Sequence, residues 1–236
     1  MQANSSGYTE DPTIDLAFES TLKLANGDLH HEKDSVLHNN FPYPWPVLTS
    51  LLYIGYTNKS QLRVLDFGGA FGINYFQNRK FLQDSLSLYW QILEQEKVVE
   101  KGKLHFETGD LRFIKEEPGI SELQEVNCLI FSGVLQYFEN PYNVLESWIA
   151  KGIPFILIDK TTFIKAPVQR LTLHTIPGNN SKISFPCWLF NTSEFLKKFA
   201  DQYELIADFP RHDHQRSFLD DGTPYEWKGF LFQLRK

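Results

Sequence analysis

The chain reads as an α/β protein built on a doubly wound, mainly parallel, seven-stranded sheet. Three observations predict it. From residue 64 onward, short apolar runs alternate with helix-like segments, the order that builds a parallel sheet covered on both faces. Val126–Phe131 and Phe155–Ile158 are apolar at nearly every position, as strands buried on both sides must be. The first such run, Val64–Phe67, passes directly into Gly68, Gly69 and Gly72 and then into a helical segment over Ile73–Leu82. Strand, glycine turn and helix form the arrangement in which a nucleotide lies against the backbone at a helix N-terminus.

Before that strand, residues 1–12 are polar and small. Ile14, Leu16, Phe18, Leu22 and Leu24 predict a short helix that Asn26-Gly27 closes. Phe41-Pro42-Tyr43-Pro44-Trp45-Pro46 is held extended by its three prolines, and Pro46 is placed to begin a second helix through Val47, Leu48, Leu51 and Leu52. Residues 1–60 therefore read as an N-terminal extension, either a helical cap over a ligand site or a cover for the sheet edge. Residues 61–236 read as the catalytic-type domain. In that domain Leu86–Leu93 is strand two and ends before Glu94. A helix through Val98 and Val99 follows, and Leu111–Ile114 is strand three. Val126–Phe131 is strand four, ending at Ser132-Gly133, and Asn140-Pro141 opens a helix that runs to Ala150. Phe155–Ile158 is strand five, ending at Asp159. Thr192-Ser193-Glu194 starts a helix, and Tyr203–Phe209 and Gly229–Leu234 are the last two strands. Two stretches exceed this minimum, 164–190 after strand five and 210–228 between the last two strands. Loops of that length in a compact domain are usually functional.

Bulk properties narrow the function. The 236 residues are 42% hydrophobic and 22% charged, enough for one well-packed domain with additions. A net charge of −6 leaves no basic footprint for nucleic acid. Cys128 and Cys187 are the only cysteines, so neither a disulfide framework nor a zinc cluster is readable. No apolar run reaches membrane-spanning length and the N-terminus is polar, which makes a cytoplasmic location the expectation. His30-His31 and His212-Asp213-His214 lie in polar stretches with no third ligand indicated, so no metal is expected.

The glycine spacing selects among nucleotides. Glycines at 68, 69 and 72 do not make the dinucleotide pattern G-x-G-x-x-G, and no P-loop occurs. Leu65-Asp66-Phe67-Gly68-Gly69-Ala70-Phe71-Gly72 instead resembles the first motif of class I S-adenosylmethionine (SAM) methyltransferases, with Ala70 in place of the middle glycine. Glu94, at the end of strand two, is the acid that suits a ribose, because one carboxylate can accept from both hydroxyls.

The resemblance extends further. Asn74–Arg79, Glu94-Gln95, Ser132–Tyr137 and Phe185–Asn191, with Asp34–Leu37 and Trp45-Pro46 upstream, are similar to a family of bacterial SAM-dependent methyltransferases often encoded among genes for surface-polysaccharide assembly. The likeness covers roughly residues 30 to 235 and implies the Rossmann-like class I fold with SAM as methyl donor. Carried over by position, it implies that Asp66, Gly68, Gly69 and Gly72 hold the methionine end of SAM. Ala70 and Phe71 of the same loop join them as cofactor contacts. Ser132 and Gly133 would offer backbone groups to the methionine amine. Gln136 stands where many methyltransferases of this fold carry a histidine.

The acceptor is open. A sugar hydroxyl of a surface-polysaccharide precursor is the first reading. An amino sugar methylated on nitrogen, and a non-catalytic accessory protein of the same fold, are the alternatives. A hydroxyl acceptor needs a base, and three residues qualify by position: His174 in the alternating segment Arg170–Thr175, Asp159 at the end of strand five, and Tyr137. The aromatic insertion 164–190, together with Tyr43 and Trp45, is expected to shape the acceptor pocket.

Overall fold

The computed structural model describes residues 11–27, 31–33, 36–38, 43–177, 182–211 and 217–236. Helix α1 (Asp11–Ala25), the short antiparallel strands β1 (His31–Lys33) and β2 (Val36–His38), and α2 (Trp45–Thr57) precede the sheet. The core then runs β3 (Gln61–Phe67), α3 (Ile73–Leu82), β4 (Ser87–Leu93), α4 (Glu96–His105), β5 (Leu111–Ile114), α5 (Ile120–Leu123) and β6 (Cys128–Ser132). A 3₁₀ turn (Leu135–Tyr137) and α6 (Pro141–Ile149) lead to β7 (Phe155–Ile164). The strands β8 (Arg170–Pro177) and β9 (Lys182–Asn191) come next. Then follow α7 (Thr192–Lys197), β10 (Tyr203–Pro210), β11 (Ser217–Phe218) and β12 (Pro224–Leu234).

Seven strands form the expected sheet, in the order β10-β12-β7-β6-β3-β4-β5. From β7 through β5 all pairings are parallel, and β12 runs against both of its neighbours. The chain winds outward from β3 through β4 to β5, then returns to place β6 on the other side of β3. That reversal makes the β3–β6 crevice the topological switch point, where open α/β sheets take their ligands.

The two faces of the sheet follow from side-chain alternation. Val64, Ile92, Cys128, Ile130 and Leu157 pack with α1 to α4, whereas Leu65, Leu129, Phe131, Ile156 and Ile158 pack with α6 and α7. Local signals set the helix starts. Pro46 and Pro141 sit in the first turns of α2 and α6, where a missing amide costs nothing. The Asn191 side chain caps α7 by accepting from the Glu194 amide at 2.9 Å. Helix α1 is part of the same core, with the Phe18 ring edge-on to Phe71 at 5.4 Å and tilted against Phe106 at 5.3 Å.

Two expectations about loops are corrected. Strand five does not end at Asp159 but continues as β7 to Ile164, and the last strand begins at Pro224 rather than Gly229. Each extension supplies the other's partner: Thr161 pairs with Lys228, Thr162 with Trp227, Phe163 with Glu226 and Ile164 with Tyr225. The 164–190 insertion is largely an antiparallel pair, β8 with β9, and β9 rejoins the main sheet beside β7 at Phe163↔Phe190. Its aromatic residues are packed: Phe185 and Phe190 are buried, and the Trp188 indole donates to the Phe138 carbonyl at 3.1 Å. Helix α4 also runs to His105, and α5 was not anticipated. His30, the 212–214 histidine pair, Phe41-Pro42 and Asp34-Ser35 lie outside the described residues.

Between the paired segments β7 and β12 slip by one residue, with Asp159 and Lys160 facing Gly229 alone. A Cβ on Gly229 would sit 2.1 Å from a Phe209 ring carbon and 2.7 Å from the Ile158 carbonyl oxygen. Backbone cannot yield as a side-chain tip can, so Gly229→Ala should destabilise the fold by about 1–3 kcal/mol. Chemical denaturation measures it, and wild-type stability would mean the slip lies elsewhere.

Candidate active site

The carboxyl end of β3 carries the centre of the site. Asp66 pairs with Ile92 on one side and Ile130 on the other and is fully buried. Its Oδ2 accepts from the Trp90 indole at 3.3 Å and the Asn74 amide at 3.4 Å, both long for bonds to a carboxylate. Its Oδ1 has no hydrogen-bond partner among the described residues. Burial pushes this carboxyl up to about 7, against the lowering effect of those two bonds. The glycine turn closes over it. A Cβ on Gly69 would lie 2.6 Å from the Asp66 carboxyl carbon, so this glycine is required by the acid below it as well as by any ligand above. Ala70 takes the left-handed conformation at φ 47°, and Gly72 at φ 92° starts α3 without a side-chain cap.

Glu94 ties this turn to the neighbouring strand. Its carboxylate accepts from the Ala70 amide at 3.1 Å and from the Gln95 amide at 2.9 Å. Burial raises its pKa and the two amides oppose the rise. Each oxygen keeps acceptor capacity beyond these bonds. Phe71 behaves differently. Its ring is fully buried between Phe18 and Phe106, so only its backbone is available to a ligand.

Across the crevice, Ser132 ends β6 and pairs with Asp159 of β7, and the Ser132 hydroxyl donates to Asp159 Oδ2 at 3.1 Å. The Gly133 amide donates to the Asp159 carbonyl at 2.9 Å. Val134 meets the glycine turn directly, since a Cβ on Gly68 would lie 2.5 Å from its Cγ2. The glycine turn, Glu94, Ser132-Gly133 and Asp159 thus form one contiguous rim.

Above β6 and β7 the β8–β9 insertion covers the 3₁₀ turn. Tyr137 Oη and His174 Nδ1 are 3.1 Å apart, with their rings nearly parallel. Phe185, the cross-strand partner of His174, stands perpendicular to both rings at 5.0 and 5.4 Å, and Trp227 lies 5.6 Å from His174. Two of the three base candidates are therefore a single unit inside an aromatic wall. Tyr43 and Trp45 are placed elsewhere. The Tyr43 hydroxyl donates to the Gln77 carbonyl at 2.8 Å, and both rings pack on Phe81, along the part of α3 that leads away from the glycine turn.

No protein-family model matches the chain, and no curated protein matches it in sequence. Solved structures do match. The N-terminal domain of EvdMO1, with S-adenosylhomocysteine (SAH) bound, superposes with a TM-score of 0.53 at 8% identity over 94% of this chain and 96% of that one. Magnesium protoporphyrin IX methyltransferase from Synechocystis PCC 6803, with SAM bound, gives 0.56 at 10% identity over 99% and 98%. A SAM-dependent methyltransferase from Mesorhizobium loti gives 0.51 at 13% identity over 81% and 97%. The fold is that of class I methyltransferases.

Within that fold the described residues contain no cluster of three or more metal-ligating side chains and no helix long and apolar enough to cross a membrane. Three supports of the site have contacts that the sequence did not reveal. Trp90 and Asn74 contact Asp66 from β4 and α3, and Gln136, fully buried, donates to the Lys160 carbonyl at 3.0 Å.

The state of Asp66 is testable. With its folded pKa near 7, above the ordinary 3.8, the folded chain holds a proton that the unfolded chain has lost between those values. Stability should therefore fall as pH rises from about 4 to about 7, and the penalty persists above that range. Asp66→Asn keeps an acceptor for Trp90 and removes the charge. Thermal denaturation should show the variant losing this slope and melting above the wild type at about pH 8. Parallel curves for the two proteins would contradict a buried charge.

Proposed function

We propose that this protein is a SAM-dependent methyltransferase acting on a hydroxyl of a small molecule or glycan, with a sugar of a surface-polysaccharide precursor as the favoured acceptor. The observation that carries the cofactor reading is the buried Asp66 carboxyl beneath an uncapped glycine turn, with Glu94 fastened to that turn. A carboxyl that burial has raised and left short of partners favours a ligand that brings positive charge. Glu94 adds acceptor capacity for vicinal hydroxyls. SAM has both features, and the fold is one in which neighbouring proteins are seen with SAM or SAH.

When bound, SAM supplies a methyl group already activated by its sulfonium, so alignment of the acceptor accounts for much of the rate. In this reading the backbone of residues 68–72 receives the methionine end, Glu94 the ribose, and Ser132-Gly133 the amine. The wall of Phe185 and Trp227 receives the apolar face of a sugar ring and excludes water. The Tyr137–His174 pair handles the proton. When His174 Nδ1 carries the hydrogen and donates to Tyr137, the basic lone pair is on Nε2. The opposite tautomer accepts from Tyr137 and makes the phenol oxygen the next proton acceptor. Either way the hydroxyl proton of the acceptor passes to this pair. Asp159, held by Ser132 on the rim, orients the β6 end.

Two measurements test the reading. Glu94→Ala should weaken SAM and SAH alike by about 1.5–3 kcal/mol, the range for hydrogen bonds to a charged group. Calorimetric titration checks this, and unchanged affinity removes Glu94 from the site. His174→Ala should lower kcat by about 10²–10⁴ and leave SAM affinity unchanged. A normal single-turnover rate in the folded variant would exclude His174 as the base.

A further inference from the structure

Edge strands present unpaired amides and carbonyls, and folded chains guard them with charge, bulges, proline or short length. The two outer strands of the main sheet are guarded in these ways. Strand β5 is four residues long, with Arg112 exposed. Strand β10 has exposed Glu204 and Asp208, a bulge between Leu205 and Ala207, and Pro210 at its end. Strand β8 differs. It runs for eight residues, and among the described residues it pairs with β9 alone. No acid, lysine, arginine, proline or bulge interrupts Leu171–Thr175.

The side chains on its outer face are apolar where a guarded edge would be charged. Leu171 is 55% exposed and Leu173 is 73% exposed. Strand residues alternate, so both leucines lie on the face opposite Thr172 and His174, whose partners Cys187 and Phe185 are buried. The surrounding charge favours a second copy of this chain as the occupant. The net charge is −6, yet residues 160–193 contain no Asp or Glu. Lys165 is engaged by Glu226 at 3.1 Å and Arg170 by Asp221 at 2.9 Å. Two copies of an acidic chain repel least where acids are absent, and an anionic partner would meet two cations already engaged.

We infer that two copies of this chain join through β8, edge to edge and antiparallel, about a two-fold axis at Thr172. That register is self-complementary. It sets Leu171 of each copy opposite Leu173 of the other on the exposed face, and Thr172 opposite Thr172 on the other face. Apolar and Thr–Thr cross-strand pairs are favourable, and a contact of one strand with itself closes as a dimer. The two β8–β9 pairs become one four-stranded ribbon. The inference stands apart from the SAM reading, since it uses no residue of the glycine turn.

Sedimentation velocity of the full chain, over a micromolar concentration series, should find a dimer. Leu171→Lys with Leu173→Lys places lysine opposite lysine at both pairs and should give a monomer. Leu171→Glu with Leu173→Glu repeats that test with the opposite charge, should the lysine variant fold poorly. Leu171→Lys with Leu173→Glu places lysine opposite glutamate at both pairs and should restore the dimer. Leu104→Lys, at an exposed position of α4, should leave the dimer unchanged. Melting followed by circular dichroism shows that each variant is folded. A monomeric wild type, or a dimer that persists in the double-lysine and double-glutamate variants, would overturn the proposal. A folded but monomeric lysine–glutamate variant would overturn the pairing about Thr172.

Discussion

A carboxyl group buried at the end of the central strand governs the shape of everything above it. Asp66 is wedged between β4 and β6, and its carboxyl carbon leaves no space for a side chain at position 69. The turn must therefore run as bare backbone at this point, close over the acid, and hand the chain to α3. Glu94 then pins the turn from the next strand through the Ala70 amide. On the far side α1 presses Phe18 against Phe71, so the loop is braced from the N-terminal extension as well. Two acids of different strands, one below and one beside, hold a loop that has almost no side chains of its own to hold it.

The second level of the molecule arises from the overlap of β7 and β12 beyond the ordinary edge of the sheet. That overlap raises a short platform on which β9 can pair and from which β8 can hang. Tyr137, on the 3₁₀ turn after β6, lies under this platform and meets His174 there. The glycine-turn side and the aromatic side are thus built by different strands and joined through β7, whose bulge at Lys160 lies at the junction. Lys160 takes the left-handed conformation there, at φ 46°, and this strain is offset by the pairing on either side of it.

Much of this was legible in the sequence, for a physical reason. Strands buried on both faces must be apolar at nearly every position, so Val64–Phe67, interrupted only by Asp66, Val126–Phe131 and Phe155–Ile158 announced themselves, and their order with the intervening helices dictated the doubly wound sheet. The glycine turn was legible because its spacing is tied to backbone geometry. The extensions were not. Lys160-Thr161-Thr162 and Tyr225–Lys228 are polar enough to pass for loops, and each becomes a strand only because the other is there. Pairing across more than sixty residues leaves no local periodicity to detect. The meeting of Tyr137 with His174 has the same origin: both were candidates singly, and only the β8–β9 pair brings them together. Phe71 was misleading in the other direction, since its place in the motif says nothing of a ring that turns into the core.

The two thiols of the chain sit on different levels of this architecture. Cys128 is fully buried in the central sheet at β6, while Cys187 is buried in β9 near Thr162, with burial pushing its thiol up to about 12. Neither reacts readily while its surroundings are closed, because the thiolate is the reactive form. Lifting of the β8–β9 pair would expose Cys187 and leave Cys128 covered, whereas only the loss of the sheet itself exposes Cys128. Alkylation rates at the two positions therefore separate opening of the aromatic wall from unfolding of the whole domain, and the native chain carries both reporters without any engineered label.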